Sequence, residues 1–214
     1  MLHVIVTGGL GAGKTNLIDR LNANDDYIVG SPATTMKRRL AKCIARTYNT
    51  DGTDHGWQHY FEAMLDRREK EKYRGILQGY GEHFSNLDGF FWIRRTMEEV
   101  QQDIDQRRLN GDGALGTVYD SVRRPSEISG IREVFPDAIR IHLNVSRERQ
   151  LDYLLNHLGY EYEKAVATLA HSSEHWLDAS DAAHDNLTGA ELVIDADYGD
   201  EYVWRQFNKA VQGG

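Results

Sequence analysis

The sequence predicts an α/β fold in which five parallel strands form one sheet with helices on both faces. Two observations carry this prediction. Short apolar runs alternate with segments of helical periodicity along the 214 residues, and strands separated by helices favour a parallel sheet. A glycine-rich segment, residues 8–15, also lies directly between the first apolar run and the first helical pattern. The length suits a single domain with room for insertions.

The strand predictions follow the apolar runs. The first run, residues 2–7, reads Leu-His-Val-Ile-Val-Thr and ends at a glycine. Residues with β-branched side chains are common in strands, and an unbroken apolar run is typical of a strand buried on both faces. A weaker run follows the first helix, and three stronger runs come late in the chain. The five expected strands are 2–7, 26–30, 116–122, 138–145 and 191–196.

The helix predictions fill the intervals, where apolar residues recur every three or four positions. About 85 residues separate the second and third strands, which is too many for a simple crossover. We therefore expect a helical substrate-binding insertion over about 34–112. The expected helices are 16–21, 34–48, 57–110 with a break near 79–89, 126–135, 147–158, 162–183 and 201–211.

The glycine-rich segment matches G-x-x-x-x-G-K-[ST], the pattern of a phosphate-binding loop between a strand and a helix. Its glycines let consecutive backbone N–H groups face an anion, and the helix N-terminus adds a partial positive charge. We expect Lys14 to neutralise the β- and γ-phosphates of ATP and the Thr15 hydroxyl to hold Mg²⁺. The alternative is a glycine-rich turn with a surface lysine. The expected phosphate-binding residues of this P-loop NTPase fold are Gly8, Gly9, Leu10, Gly11, Ala12, Gly13, Lys14 and Thr15.

A second group of polar residues follows the third expected strand. Asp120 ends that strand, Arg123 and Arg124 come next, and Pro125 opens a helix at a position where its missing N–H costs nothing. Ligands of such sheets gather at the carboxyl ends of the strands. Asp120 is suited to ordering a magnesium-bound water or a substrate hydroxyl, and Arg123 to gripping a phosphate. In the alternative, Asp120 caps a loop and the arginines form surface ion pairs.

Composition excludes several classes of function. The net charge is −8 and no Lys/Arg-rich run is present, so we expect no nucleic-acid partner. Cys43 is the only cysteine, so neither a disulfide framework nor a thiolate zinc site is expected. No apolar stretch approaches 18 residues, and the first strand begins at the N-terminus. We expect a cytoplasmic monomer or homodimer that acts on a small molecule and binds no membrane.

Several segments resemble, in the same order, the deoxynucleoside monophosphate kinases of bacteriophages. The clearest is Arg74-Gly75-Ile76-Leu77-Gln78-Gly79-Tyr80-Gly81 followed by Trp92, which is similar to the R-x-x-L-Q-x-x-G … W signature of that family. The segments 31–40, 119–127 and 174–195 fit the same template. Two departures concern the acceptor. No arginine follows Gly81 closely, so Arg94 or Arg95, beyond Trp92, is the candidate for that role, and Asp195 stands where the family usually has asparagine.

This resemblance implies a nucleoside-monophosphate-kinase fold that moves the γ-phosphoryl group of ATP, with Mg²⁺, onto a (deoxy)nucleoside 5′-monophosphate. Carried over by position, Lys37, Arg74 and Gln78 would line the acceptor site. An amide can both donate to and accept from a base edge, whereas a guanidinium suits a phosphate. Trp92 is a candidate for stacking on the acceptor base, with core packing as the alternative. For Arg74 and Gln78 the alternative is a polar helix face.

The residues after the fourth expected strand complete the proposed machinery. Phosphoryl transfer depends on positioning and on cations that balance spread negative charge. By analogy with the fold, a small lid is expected over about 146–185. Arg147 and Arg149 are candidates for a lid arginine in it, and a solvated helix face is the alternative. Tyr198 and Tyr202 are candidates for contact with adenine.

Three other functions stay open from the sequence. The first is a P-loop kinase for another acceptor, such as dephospho-coenzyme A or a modified nucleotide. The second is a nucleotide-switched assembly ATPase, for which an acidic pair would be expected at a strand end, whereas Ser121 follows Asp120. The third is a zinc peptidase, since His171-Ser172-Ser173-Glu174-His175 matches H-x-x-E-H. A pattern with three fixed positions arises readily by chance in a histidine-rich segment.

Overall fold

A computed structural model of the chain describes residues 1–23, 27–49, 53–66, 69–122, 124–170 and 192–212. The chain divides into two compact units. The first comprises Met1–Gly30 and Glu99–Gly214, and is called the sheet unit here; the second is Ser31–Glu98, called the helical unit.

The sheet unit contains five strands, and each pairs with its neighbours in parallel, in the order β2-β3-β1-β4-β5. The expected α/β fold class is therefore confirmed, and the strand bounds differ from expectation by at most three residues. In this register, Ile5 of the first strand lies opposite Tyr119 and Gly8 lies opposite Leu143. The strands are β1 (Leu2–Gly8), β2 (Tyr27–Gly30), β3 (Gly116–Tyr119), β4 (Ile139–Asn144) and β5 (Leu192–Asp195).

The central strand is covered on both faces. Four consecutive β1 residues, Val4 to Thr7, are fully buried, although alternate residues of a strand point to opposite sides. On one face, Val4 and Val6 belong to a core that includes Leu17 and Phe207. On the other, the His3 ring stacks on Phe135 with ring centroids 3.7 Å apart.

The helices of the sheet unit lie close to their expected positions. The expected helix 147–158 begins as a short α-helix and continues as a π-helical turn, Tyr153–His157. A 3-10 turn, Ala196–Tyr198, follows β5. The α-helices are α1 (Lys14–Ala23), α6 (Pro125–Val134), α7 (Arg147–Asp152), α8 (Tyr162–Leu169) and α9 (Asp200–Gln212).

The helical unit is built from α2 (Pro32–Tyr48), α3 (Trp57–Leu65), α4 (Lys70–Leu87) and the first residues of α5 (Phe91–Asn110). Ser31 caps α2: its hydroxyl accepts the Thr34 N–H at 3.4 Å, with proline at the first helical position. Leu40, Met64 and Leu77 are among the residues that form the core where α2, α3 and α4 meet.

The expected helix 57–110 is divided at two places. The division between α3, which ends at Leu65, and α4, which begins at Lys70, was not expected. The other division lies within the expected break near 79–89, since α4 ends at Leu87 and α5 begins at Phe91. There the Asp88 carboxylate accepts the Phe90 N–H at 2.9 Å, an arrangement that competes with helical hydrogen bonding. Helix α4 continues through Gly79 and Gly81. Isolated glycines weaken a helix but do not end one that packs well.

The expected helix 162–183 is α8 only as far as Leu169, and residues 171–191 lie outside the described part of the chain. The H-x-x-E-H segment therefore also lies outside it. Among the described residues, no three His, Cys, Asp or Glu side chains are grouped to hold a metal. None of the helices that the structure describes combines the length and the apolar character of a membrane span.

Candidate phosphate-binding site

The loop between β1 and α1 has a backbone that only glycine adopts readily. Gly8, Gly11 and Gly13 have φ values of 147°, 75° and 77°. A Cβ atom on Gly8 would also lie 2.5 Å from the Leu143 carbonyl oxygen, which belongs to the neighbouring strand and cannot move aside cheaply. Turns in which residues alternate between right- and left-handed conformations form concave anion-binding backbones. The glycines of the motif are therefore required by geometry as well as by pattern.

Side chains distant in sequence close around this loop. A Cβ on Gly9 would collide with the Gln150 amide, one on Gly11 would lie 3.2 Å from Tyr153, and one on Gly13 would lie 2.9 Å from an Asp200 carboxylate oxygen. Sequence reasoning missed all three residues as neighbours of the loop. No local sequence pattern could reveal these three residues, because the crossovers between strands bring the helices that carry them to the loop.

Leu10 anchors the outer part of the loop. It packs against a small hydrophobic core that contains Leu154, Ala165 and Leu169. These residues come from the π-helical turn after α7 and from α8. The loop is therefore attached to the segment that the sequence analysis assigned to a lid.

The Lys14 side chain folds back onto the loop that precedes α1. Its ammonium donates to the carbonyl oxygens of Gly8 at 2.6 Å and Gly9 at 2.7 Å. The cation is thus held beside the concave backbone at the start of α1, where the helix end is also positive. Thr15 is the second residue of α1 and is exposed. The positive helix end and the lysine ammonium fit the negative charge of a triphosphate. The threonine hydroxyl is a hard oxygen ligand of the kind that Mg²⁺ prefers.

Helix α9 braces α1 from the side. The Asn16 amide donates to the Asp200 carboxylate at 2.6 Å, and Arg20 forms an ion pair with Glu201. The Arg20 guanidinium also lies 5.7 Å from the centre of the Trp204 ring. Hydrogen bonding to Arg20 lowers the pKa of the Glu201 carboxyl. These contacts fix the helix whose first turn carries Lys14 and Thr15.

A buried polar cluster supports the end of β1. Arg140 is fully buried, and its Nε donates to the Thr7 hydroxyl at 3.0 Å. Its Nη2 lies 3.4 Å from His142 Nδ1, which is also 3.1 Å from that hydroxyl. Because arginine only donates, His142 Nδ1 acts as an acceptor here. The cluster stands immediately before the loop, and the sequence analysis did not foresee it.

Asp120 directly follows β3, the strand that pairs with β1. Its N–H donates to the Gly30 carbonyl at 2.8 Å, and its carboxylate accepts the Ser121 hydroxyl at 3.0 Å. The Arg124 N–H donates to Glu127 at 3.0 Å, as a helix cap does. Arg123 lies outside the described residues.

The two lid candidates differ in their surroundings. Arg149 donates through Nη1 to the Asp197 carbonyl at 2.7 Å, and Ser146 donates its N–H to the Asp197 carboxylate at 3.0 Å. Arg147 is exposed. Arg149 therefore holds the turn after β5 in place. Beside that turn, the Tyr198 and Tyr202 rings lie 5.0 Å apart, and Tyr198 is 71% exposed.

The signature segment of the helical unit divides into a buried and an exposed half. Leu77 and Trp92 are each 6% exposed, and the Trp92 indole N–H donates to the Gly81 carbonyl at 3.0 Å. A Cβ on Gly81 would lie 2.8 Å from the Met36 sulfur. These contacts favour the packing role for Trp92. The absence of a side chain at Gly81 leaves room for the Met36 side chain of α2.

The exposed half consists of Arg74 and Gln78. They are four residues apart on α4, so they share one helix face, and both are exposed. Lys37, on α2, is half-buried. The structure thus places Arg74, Gln78, Lys37 and Trp92 in the helical unit. It places the loop, Asp120, Arg124, Arg147 and Arg149 in the sheet unit.

No family model and no curated protein matches this sequence. The chain is similar to solved structures at 13% identity over 99% of its length. One is TT1252 from Thermus thermophilus, with a TM-score of 0.47 and 96% of that chain covered. Another is a sugar kinase from Janibacter sp., with a TM-score of 0.44 and 95% covered. A third is dephospho-CoA kinase from Campylobacter jejuni, with a TM-score of 0.47 and 96% covered.

Proposed function

We propose that this protein transfers the γ-phosphoryl group of ATP to a (deoxy)nucleoside 5′-monophosphate and releases the diphosphate. The observation that carries the proposal is the glycine-built loop at the end of β1, with Lys14 held against its carbonyl oxygens. Phosphoryl transfer needs little covalent help from the protein, so a preorganised anion site with cations supplies most of the catalysis.

The sheet unit would bind the donor. The loop and the first turn of α1 would hold the phosphates, and the Lys14 ammonium would leave the Gly8 and Gly9 carbonyls for the β- and γ-phosphates. Mg²⁺, when bound, supplies charge neutralisation at the transferring group. Thr15 is the residue that would hold it, and Asp120 would order its water. The exposed Tyr198 ring offers a surface for the base.

The helical unit would bind the acceptor. Arg74 and Gln78 share an exposed face of α4, while Leu77, Gly81 and Trp92 of the same signature are used for packing. This division supports Arg74 as the ligand of the acceptor phosphate and Gln78 as the ligand of a base edge. Lys37 adds a cation from α2.

The remaining arginines would balance charge during transfer. In the sequence, Arg123 and Arg124 follow β3, and β3 pairs with β1, the strand that carries the loop. Arg147 is exposed at the start of α7 and is the better of the two lid candidates. Arg149 would act indirectly, since its contact with the Asp197 carbonyl positions the turn beside Tyr198.

A coupled assay of ATP consumption tests the proposal. The acceptors are the common dNMPs and NMPs one at a time, with dephospho-coenzyme A and a sample without acceptor as further arms. We expect turnover that depends on one or a few monophosphates and yields the diphosphate. Turnover with dephospho-coenzyme A alone would support the other kinase. ATP consumption that is independent of every acceptor would contradict both and support an ATPase.

A further inference from the structure

Ser121 has a backbone conformation that is unusual for its residue type. Its φ is 58°, and among the described residues it is the only non-glycine with a positive φ. In this left-handed region the Cβ atom crowds the following carbonyl oxygen, so residues other than glycine, asparagine and aspartate rarely occupy it. Such strain persists where the surroundings impose it, often at functional sites.

The surroundings of Ser121 are fixed on both sides. Before it, the Asp120 N–H donates to the Gly30 carbonyl at 2.8 Å, which ties the end of β3 to the end of β2. After it, Val122 is buried, with 3% of its surface exposed. The left-handed turn at Ser121 connects these two anchored residues.

The same turn brings the Ser121 hydroxyl to the Asp120 carboxylate. The hydroxyl donates to Oδ2 at 3.0 Å, so one carboxylate oxygen is engaged by its neighbour. A carboxylate held by a hydrogen bond from an adjacent, conformationally fixed residue samples fewer rotamers than an unrestrained one. A glycine would adopt this backbone without strain but would lack the hydroxyl.

We propose that Ser121 is a positioning residue, which orients the Asp120 carboxylate for phosphoryl transfer. This inference rests on the proposed function, because it assigns Ser121 a role through Asp120. The backbone strain is kept at this position because serine supplies the hydrogen bond that glycine cannot.

Two substitutions separate positioning from stability. Ser121→Ala and Ser121→Gly both remove the hydroxyl, but only the glycine also relieves the backbone. We expect kcat for ATP consumption to fall about tenfold in both, since a hydrogen bond to a charged group is lost, with KM for ATP within about twofold of wild type. The Tm of Ser121→Gly should exceed that of Ser121→Ala by about 2–4 °C. If Ser121 were only structural, kcat would recover in the glycine variant together with Tm.

A double-mutant cycle with Asp120→Ala tests the connection between the two residues. In the Asp120→Ala background, we expect Ser121→Ala to change kcat by less than about twofold. An undiminished tenfold loss there would overturn the proposal. So would wild-type kcat in both Ser121 variants. Wild-type kcat in Asp120→Ala alone would instead refute the role of Asp120 in the proposed function.

Thr47→Ala is the matched control. It also removes one hydroxyl, which in α2 donates to the Cys43 carbonyl at 2.9 Å on an exposed surface. We expect wild-type kcat and KM in this variant. The readout is ATP consumption at saturating ATP and at a saturating concentration of the monophosphate that supports turnover in the acceptor panel.

Discussion

The phosphate-binding loop and helix α4 both contain several glycines, but for different reasons. In the loop, Gly8 has a positive φ and lies against the neighbouring strand. In α4, Gly79 is in an ordinary helix, and no described atom lies within 4 Å of the place where its Cβ would be. The loop glycines are thus dictated by the backbone of the site itself. Gly79 has no such structural requirement, and it is next to Gln78, a proposed acceptor ligand.

This contrast shows which kind of site can be recognised in a single sequence. A site made by the backbone leaves its mark in consecutive residues, because each position has its own conformational requirement. A site made by exposed side chains on a helix has the same local pattern as an ordinary polar surface. The proposed donor site could therefore be predicted without a resemblance, and the proposed acceptor residues could not.

Lys14→Ala should have the largest effect. The substitution removes the cation that neutralises the transferring phosphates, and we expect kcat to fall by about 10³-fold or more. It also removes two hydrogen bonds within the loop, so Tm is measured alongside the coupled assay. Activity near the wild-type level in a folded Lys14→Ala protein would show that the loop is not the donor site.

Substituting alanine for glycine should have opposite effects in the two regions. Gly8→Ala forces a positive φ and a contact with the Leu143 carbonyl, so we expect it to destabilise the fold by about 2–4 kcal/mol. Gly79→Ala should stabilise by about 0.5–1 kcal/mol, because alanine is the better helix former. Urea denaturation of both variants measures the difference. Equal destabilisation by the two substitutions would show that Gly8 and Gly79 do not differ in their structural requirement for glycine.

Arg74→Ala should affect the acceptor and spare the donor. Loss of a charge-assisted contact with the acceptor phosphate predicts a kcat/KM for the acceptor that is lower by about 10- to 100-fold. We expect the KM for ATP to change little. Arg46→Ala, which alters another exposed arginine of the helical unit, is the matched control. Unchanged acceptor kinetics in Arg74→Ala would remove α4 from the proposed acceptor site.

The smallest expected effect concerns acid sensitivity, which should also differ between the two units. Partial burial of the His3 side chain lowers its pKa, since desolvation disfavours the imidazolium. The folded state therefore binds this proton less readily than the unfolded state. Its contribution to stability is complete above the ordinary pKa of about 6.5 and is lost as the pH falls below that value.

His3→Gln should remove this part of the pH dependence. We expect the protection factors of amides in β1 and β3, from which the intrinsic exchange rate at each pH has been removed, to fall less between pH 7 and pH 5 in the variant than in wild type. Protection of α4 in the helical unit serves as the internal reference. An identical fall in both proteins would mean that His3 does not contribute.

Much of the fold could be predicted because its signals are local. The apolar runs gave all five strands to within three residues, since a buried strand needs an unbroken apolar segment. The break expected near 79–89 lies at the C-terminal end of that range, between Leu87 and Phe91. The break between Leu65 and Lys70 was not predicted. At Gly81 the absence of a side chain leaves room for Met36 of α2, which only the packing reveals.

The amino-acid order alone predicted a phosphate-binding loop between a strand and a helix, because glycine, lysine and threonine each meet a backbone or charge requirement within eight residues. Three-dimensional packing decided what surrounds that loop. Gln150, Tyr153 and Asp200 lie 141 or more residues along the chain from the glycines that they approach. Contacts of this kind depend on how the crossovers fold onto the sheet, and no short stretch of sequence encodes them.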